Sequence, residues 1–167
     1  MQKGRKKLNQ AGMSMVELVV VILILGILSV GGAVGINYAS RMNSTSAGEK
    51  LVSLLERARV YTISANGVVT LELTKEDDTY YGKLMNGGSE VDKVALGNGS
   101  LSMKVTKAGA AEGDEDIVTP IDSGTTYVIS YNKENGAFSD KYKQIEISGS
   151  ETRYIQMVHT TGRSYLK

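Results

Sequence analysis

Glu17 has the most unusual chemical setting in this sequence. It is the only charged side chain between Lys7 and Arg41, and it stands at the front of an apolar run from Leu18 to Ile36, 19 residues long. A carboxylate held inside a hydrocarbon layer costs about 2.5–3.5 kcal/mol at the centre of a helix, and less near its edge. Such a group belongs either in a polar headgroup layer or beside a cation that compensates it. The other residues able to do chemistry are less promising. His159 is the sole histidine and falls in an expected strand. One histidine excludes a three-histidine zinc site, there is no cysteine to substitute, and thiolate catalysis and disulfides are excluded as well. Glu112, Asp114, Glu115 and Asp116 offer hard oxygen ligands suited to calcium, although a solvated loop is the stronger reading of that stretch. Gly97-Asn98-Gly99 reads as a turn, because no Gly-Lys-Ser/Thr ending follows to make a phosphate loop. The nine tyrosines are scattered and form no stacking platform with basic residues between them.

The elements that would position Glu17 follow from charge and hydropathy. Lys3, Arg5, Lys6 and Lys7 give residues 1–12 a charge of +4, and the other 15 basic and 18 acidic residues leave the remainder at −3. A basic tip on a mildly acidic body does not describe a general nucleic-acid binder, and none is expected as partner. The mean hydropathy of −0.13 averages two unlike materials, an uncharged stretch from Leu18 to Ser40 and ordinary polar sequence after it. At about 1.5 Å per residue the apolar run makes roughly 28 Å of helix, close to a hydrocarbon core of about 30 Å. It exceeds the usual apolar region of a secretory signal, about 7–15 residues. The positive-inside rule then keeps the basic tip in the cytoplasm and sends the body outside.

The stretch Ala11-Gly12-Met13-Ser14-Met15-Val16-Glu17, followed by Leu18 to Leu28, closely resembles the class III signal of type IV prepilins and pseudopilins. The resemblance implies cleavage after Gly12 and a mature chain opening at Met13, where phenylalanine is the commoner residue. It also implies N-methylation of Met13 and a role for Glu17 in assembly. The enzyme responsible would be a prepilin peptidase, with this chain as its substrate. Once freed, the Met13 amine has a reference pKa of about 7.7–8.0. It lies one helical turn from Glu17, on the same face. Each charge would be costly alone among apolar helices and tolerable as a pair. In pilins, the resemblance implies, this carboxylate meets the amine of a neighbouring subunit. Many pilins carry a proline some twenty residues into the mature chain. Here that region reads Val30-Gly31-Gly32-Ala33-Val34-Gly35, whose glycines either weaken the helix or let helices pack closely.

Beyond Ile36 the pattern stays helical and becomes amphipathic. Leu51, Leu54, Leu55, Ala58 and Thr62 repeat at i, i+3, i+4 and i+7, and Asn66-Gly67 is a good stop. The spacing predicts a helix over about Met13–Asn66, with a kink expected at Asn43 to Gly48. After Gly67 come short strands: Val68–Leu73, Thr79–Met85, Ser100–Thr106, Thr125–Tyr131, Gln144–Ser148, Thr152–His159 and Arg163–Leu166. Turns are expected at Glu76-Asp77-Asp78, Asn86-Gly87-Gly88, Asn135-Gly136 and Thr161-Gly162, and residues 107–116 as an exposed loop.

The expected fold class is α+β with a type IV pilin-like fold: one long N-terminal helix packed on an antiparallel sheet. The expected organisation is a cleaved leader at 1–12, a transmembrane or filament-core helix at 13–40, its amphipathic second half at 41–66, and an extracytoplasmic β-rich head at 67–167. A finer resemblance, to the GspH/FimT-type minor pseudopilins, rests on Leu54-Leu55-Glu56-Arg57-Ala58-Arg59 before a first strand. Thr161-Gly162-Arg163 before a last short strand adds to it. The whole implies a structural filament subunit, minor ahead of major, with no catalytic residue, metal or cofactor. Its expected partners are prepilin peptidase, other pilin or pseudopilin subunits, an assembly platform membrane protein and, before assembly, membrane lipid. A DNA-uptake pseudopilin is an alternative within the superfamily. An anchored extracytoplasmic enzyme or binding module, cut near Ala33 to Ala39, is the alternative outside it.

Overall fold

The computed structural model describes residues 15–109 and 114–167, with backbone alone for 26–42. By internal packing the chain divides between Asn37 and Tyr38. A single helix, α1, covers Met15–Ser64, 50 residues. Its helical assignment runs through 43–48, where a kink was expected, without a break. The small residues of that segment serve close packing instead. Ser44 and Ala47 are wholly buried. A side chain added at Gly48 would meet Leu166 at 2.6 Å, one added at Gly97 would lie 3.8 Å from Ala47, and one added at Gly149 3.7 Å from Ser44. The helix ends as its hydroxyls turn back on its own carbonyls: Thr62 Oγ1 donates to Ala58 O at 2.7 Å and Ser64 Oγ to Val60 O at 3.2 Å.

Among the described residues nine strands follow. β1 (Val69–Glu76), β2 (Thr79–Asn86) and β3 (Ser89–Asn98) form a meander, joined by β6 (Thr126–Ser130) into a four-stranded sheet of order β3-β2-β1-β6. β4 (Ser102–Lys107), β5 (Ile117–Pro120), β7 (Tyr142–Ser148), β8 (Thr152–Val158) and β9 (Arg163–Leu166) form a second sheet of order β5-β4-β7-β8-β9. Every pairing of these strands is antiparallel, as expected, but there are two sheets where one was predicted. The break falls at Gly99-Ser100, where Leu101 N donates to Asn98 O at 3.0 Å and the Leu101 side chain enters the core, ending the meander.

Two strands escaped the sequence pattern. β3 buries only Leu96; its burial alternates from Val91 to Leu96, but Asp92 takes one of the inward positions and Val91 and Ala95 take outward ones, so its residue types do not show the alternation that marks a half-buried strand. It exists because Gly87 (φ 58°) and Gly88 (φ 83°) fold the chain straight back onto β2. β5, four residues at the end of the acidic stretch, is likewise an edge. The β1–β2 turn uses Asp77 (φ 43°) and Asp78 (φ 66°), the residue type that best tolerates this region after Gly and Asn.

Leu51, Leu54, Leu55 and Ala58 are all at most 1% exposed and join one core with Leu71, Leu73, Ile129, Val105, Ile145, Ile147 and Ile155. An aromatic cluster links the two sheets. Tyr131 lies 4.8 Å from Phe138, Phe138 5.6 Å from Tyr142, and Tyr142 6.4 Å from Tyr127, centroid to centroid. Polar ties fix α1 to both sheets: Tyr131 Oη donates to Leu55 O at 2.9 Å, Arg57 pairs with Asp92 at 2.6 Å, and Arg153 Nε donates to Thr45 Oγ1 at 3.2 Å.

Candidate functional site

From Met15 to Leu25, α1 is apolar on every side. The ten large hydrophobic residues there range from 44% exposed at Val21 to 86% at Met15. Val16, Val19, Val20, Val21, Ile22 and Ile24 are β-branched and weak helix formers in water, and this helix has no polar face to turn to water. A helix apolar all round belongs in a core or in lipid. Burying such a side chain from full exposure contributes about 1.5–3 kcal/mol, and these ten are already partly covered by the helix itself, so covering what remains of them would contribute on the order of 10 kcal/mol. An exposed apolar patch of this kind marks a binding surface. Glu17 sits within it, in the first turn of α1 as described, exposed and the only ionisable group of the segment. Gly12, Met13 and the leader at 1–12 lie outside the described residues, and so does any pairing of the Met13 amine with Glu17. Among the described residues, no helix is long and apolar enough to cross a membrane.

The other candidates separate in space. His159 stands in the turn after β8 rather than inside a strand, with Nδ1 2.9 Å from Asp140 O. It borders an open pocket of about 410 Å³ with Lys107, Asp140 and Lys141. There Lys107 Nζ pairs with Asp140 at 2.8 Å and holds that carboxyl below its usual range. The charges of this pocket are thus largely spent on each other. Asp114, Glu115 and Asp116 are exposed, Asp116 pairs with Lys143 at 2.6 Å, and Glu112 lies outside the described residues. Among the described residues no three His, Asp or Glu side chains gather closely enough to hold a metal ion. Asn98 and Gly97 close β3, and only Gly99 enters the turn.

Two features were invisible in the sequence. Glu76 at the end of β1 is clamped by Lys83 and Lys93, and the hydrogen bond from Lys83, then that from Lys93, pulls its pKa down to about 2. Lys93 also lies 4.2 Å over the Tyr81 ring. Only the β1–β2–β3 register brings these residues together, and β3 was not expected. The second is a shallow apolar groove of about 400 Å³ between α1 and the meander, lined by Val60, Tyr61, Leu84 and Val91.

Comparison with known proteins bears on the first of these sites. Residues 7–33 match the family model of the prokaryotic N-terminal methylation motif. That span contains Gly12, Met13 and Glu17 and the described apolar start of α1, so the chain carries a type IV prepilin-like class III signal. No curated protein and no solved structure matches the chain.

Proposed function

We propose that this chain is a structural subunit of a type IV pilus or a type II secretion-like pseudopilus, and a minor subunit of it. The observation that carries the proposal is a coincidence of two features. The N-terminal methylation motif at 7–33 overlaps, from Met15 onward, a helix whose described start is apolar and bears one carboxylate. Prepilin peptidase would cut after Gly12 and methylate Met13. The chain would wait in the cytoplasmic membrane, spanning it once with its N-terminus inside and its apolar segment in lipid. An assembly platform protein would then pass it into a filament outside the membrane, where apolar helices of neighbouring subunits replace the lipid. Glu17 would compensate the Met13 amine of a neighbour and so set the register.

On this reading the task is assembly, not catalysis, and the fold is pilin-like. The assignment as a minor subunit rests on the resemblance around Leu54 to Arg59 and Thr161-Gly162-Arg163. It is supported by the burial of Leu54, Leu55 and Ala58 against the sheets and by the short closing strand β9.

N-terminal sequencing and intact mass of the membrane-bound and filament forms test the reading. The expected result is a methylated terminus at Met13, retained leader in a Gly12→Phe variant, and co-purification of wild type with sheared filaments. A mature terminus beyond Val30 would identify an ordinary secreted protein and refute the proposal.

A further inference from the structure

The chain contains four Asn-Gly pairs: Asn66-Gly67, Asn86-Gly87, Asn98-Gly99 and Asn135-Gly136. Such pairs are open to an intrinsic reaction. The backbone nitrogen of the glycine gives up its proton to solvent base and attacks the side-chain carbonyl carbon of the asparagine. The new N–Cγ bond closes a succinimide as the Cγ–Nδ2 bond breaks, and the side-chain nitrogen takes a proton back from the solvent and leaves as ammonia. Water then opens the ring at either carbonyl, leaving aspartate or isoaspartate. Glycine favours the step because it has no Cβ to obstruct closure and admits the backbone conformations required. The reaction needs a glycine N–H not already engaged, an asparagine side chain free to swing over it, and access for water.

The fold denies these conditions at three pairs. Gly87 N donates to Val68 O at 3.0 Å, and Asn86 is half-buried between its partners Val69 and Ser89. Gly136 N donates to Asn132 O at 2.8 Å, and Asn135 Oδ1 accepts from Ala137 N at 2.9 Å. Asn98 lies opposite Thr79 in β3, its Oδ1 accepting from Ser100 Oγ at 2.6 Å. Gly99 lies against the Asp78 carboxylate, whose negative charge opposes loss of the amide proton. Asn66 and Gly67 differ. Both are exposed, they fall between the end of α1 and the start of β1, and among the described residues neither the Asn66 side chain nor Gly67 N has a hydrogen-bond partner. The glycine is also structurally required. Its φ is 152°, and a Cβ there would lie 2.2 Å from Asn86 Oδ1.

We propose that Asn66 is the site of spontaneous, non-enzymatic modification in the folded protein, converting through a succinimide to aspartate and isoaspartate ahead of the other three pairs. The product puts a negative charge just past the C-terminal end of α1, whose last turn holds no basic residue to offset it. Isoaspartate additionally lengthens the main chain by one methylene at the joint between helix and sheet.

The full-length protein in detergent is aged in mildly alkaline buffer, digested with trypsin and mapped by mass, with enzymatic methyl-labelling of isoaspartate. The four pairs fall on separate peptides, 60–75, 84–93, 94–104 and 134–141. A parallel sample is aged in guanidinium chloride. In the folded sample, peptide 60–75 should gain one dalton and the label about tenfold faster than the others, whose reaction waits on local opening. In denaturant the four rates should converge. Conversion of Asn66 no faster than Asn86 or Asn135 in the folded protein would overturn the proposal, as would the same ranking persisting in denaturant. Asn66→Gln, a surface change, should abolish label on 60–75 and leave the other peptides unchanged. Label remaining there would also refute the assignment.

Discussion

Leu54 and Gly82 offer the sharpest test of how α1 is held to the sheets. Leu54 is 1% exposed, and an atom added as Cβ at Gly82 would lie 2.4 Å from Leu54 Cδ2 and 3.7 Å from both Leu73 and Leu96. The leucine therefore fills the space that the glycine leaves open in β2. Leu54→Ala removes the transfer free energy of the lost carbons and leaves a cavity. Because Gly82 has no side chain to relax into it, the loss should fall near the upper end of the usual range, about 4 kcal/mol. Gly82→Ala alone overpacks the same site and should cost about 1–3 kcal/mol, moderated because the colliding atom is the end of a side chain that can rotate. Combined, the new methyl enters the vacated space, so the double variant should be more stable than the sum of the singles by about 1–3 kcal/mol. Urea unfolding of the detergent-solubilised protein, followed by the near-ultraviolet tyrosine signal, measures all four corners. With a slope of about 2 kcal/mol/M, Leu54→Ala alone should lower the midpoint by about 2 M. Strict additivity would refute the reasoning, because it would mean that Leu54 does not occupy the space over Gly82.

Four further outcomes are expected. Burial holds the phenols of Tyr131 and Tyr142 well above the usual range and raises Tyr127 to about 12. Folding therefore favours their neutral forms, and the stability they contribute is present below the unfolded value of about 10 and lost as pH rises above it, so alkaline titration should unfold the head. Tyr131→Phe should lower stability by about 1 kcal/mol through loss of the bond to Leu55 O and should leave one fewer phenol in that transition, read by ultraviolet titration. Gly67→Ala should destabilise by about 1–3 kcal/mol through its φ of 152° and its collision with Asn86, more than Gly87→Ala, where nothing lies within 4 Å; thermal melts rank the two. Glu17→Gln should leave folding and membrane level intact and reduce incorporation into filaments, because an uncompensated buried charge costs about 3–5 kcal/mol. Equal copies per sheared filament at equal membrane level would make Glu17 an interfacial residue only.

Features governed by local rules were legible in the residues alone. The class III signal is contiguous, so the order Gly12, Met13, Glu17 and the apolar run could be read without any fold. The helix over the amphipathic half was legible because Leu51, Leu54, Leu55, Ala58 and Thr62 share one face at the helical period. The turns at Asp77-Asp78, Gly87-Gly88, Gly136 and Gly162 were legible because positive φ selects few residue types. Tertiary structure decided what depends on distant partners. β3 is a strand because β2 offers it an edge, whereas its own charged sequence, open to solvent, gives no alternation to read. The division into two sheets depends on Leu101 turning inward and on the Tyr131, Phe138 and Tyr142 cluster closing the gap. The segment around Ser44, Ala47 and Gly48 reads as a weak helix in isolation. It is a firm one here because its small side chains admit Leu166, Gly97 and Gly149 at close range, and no local pattern records which surface will approach a helix.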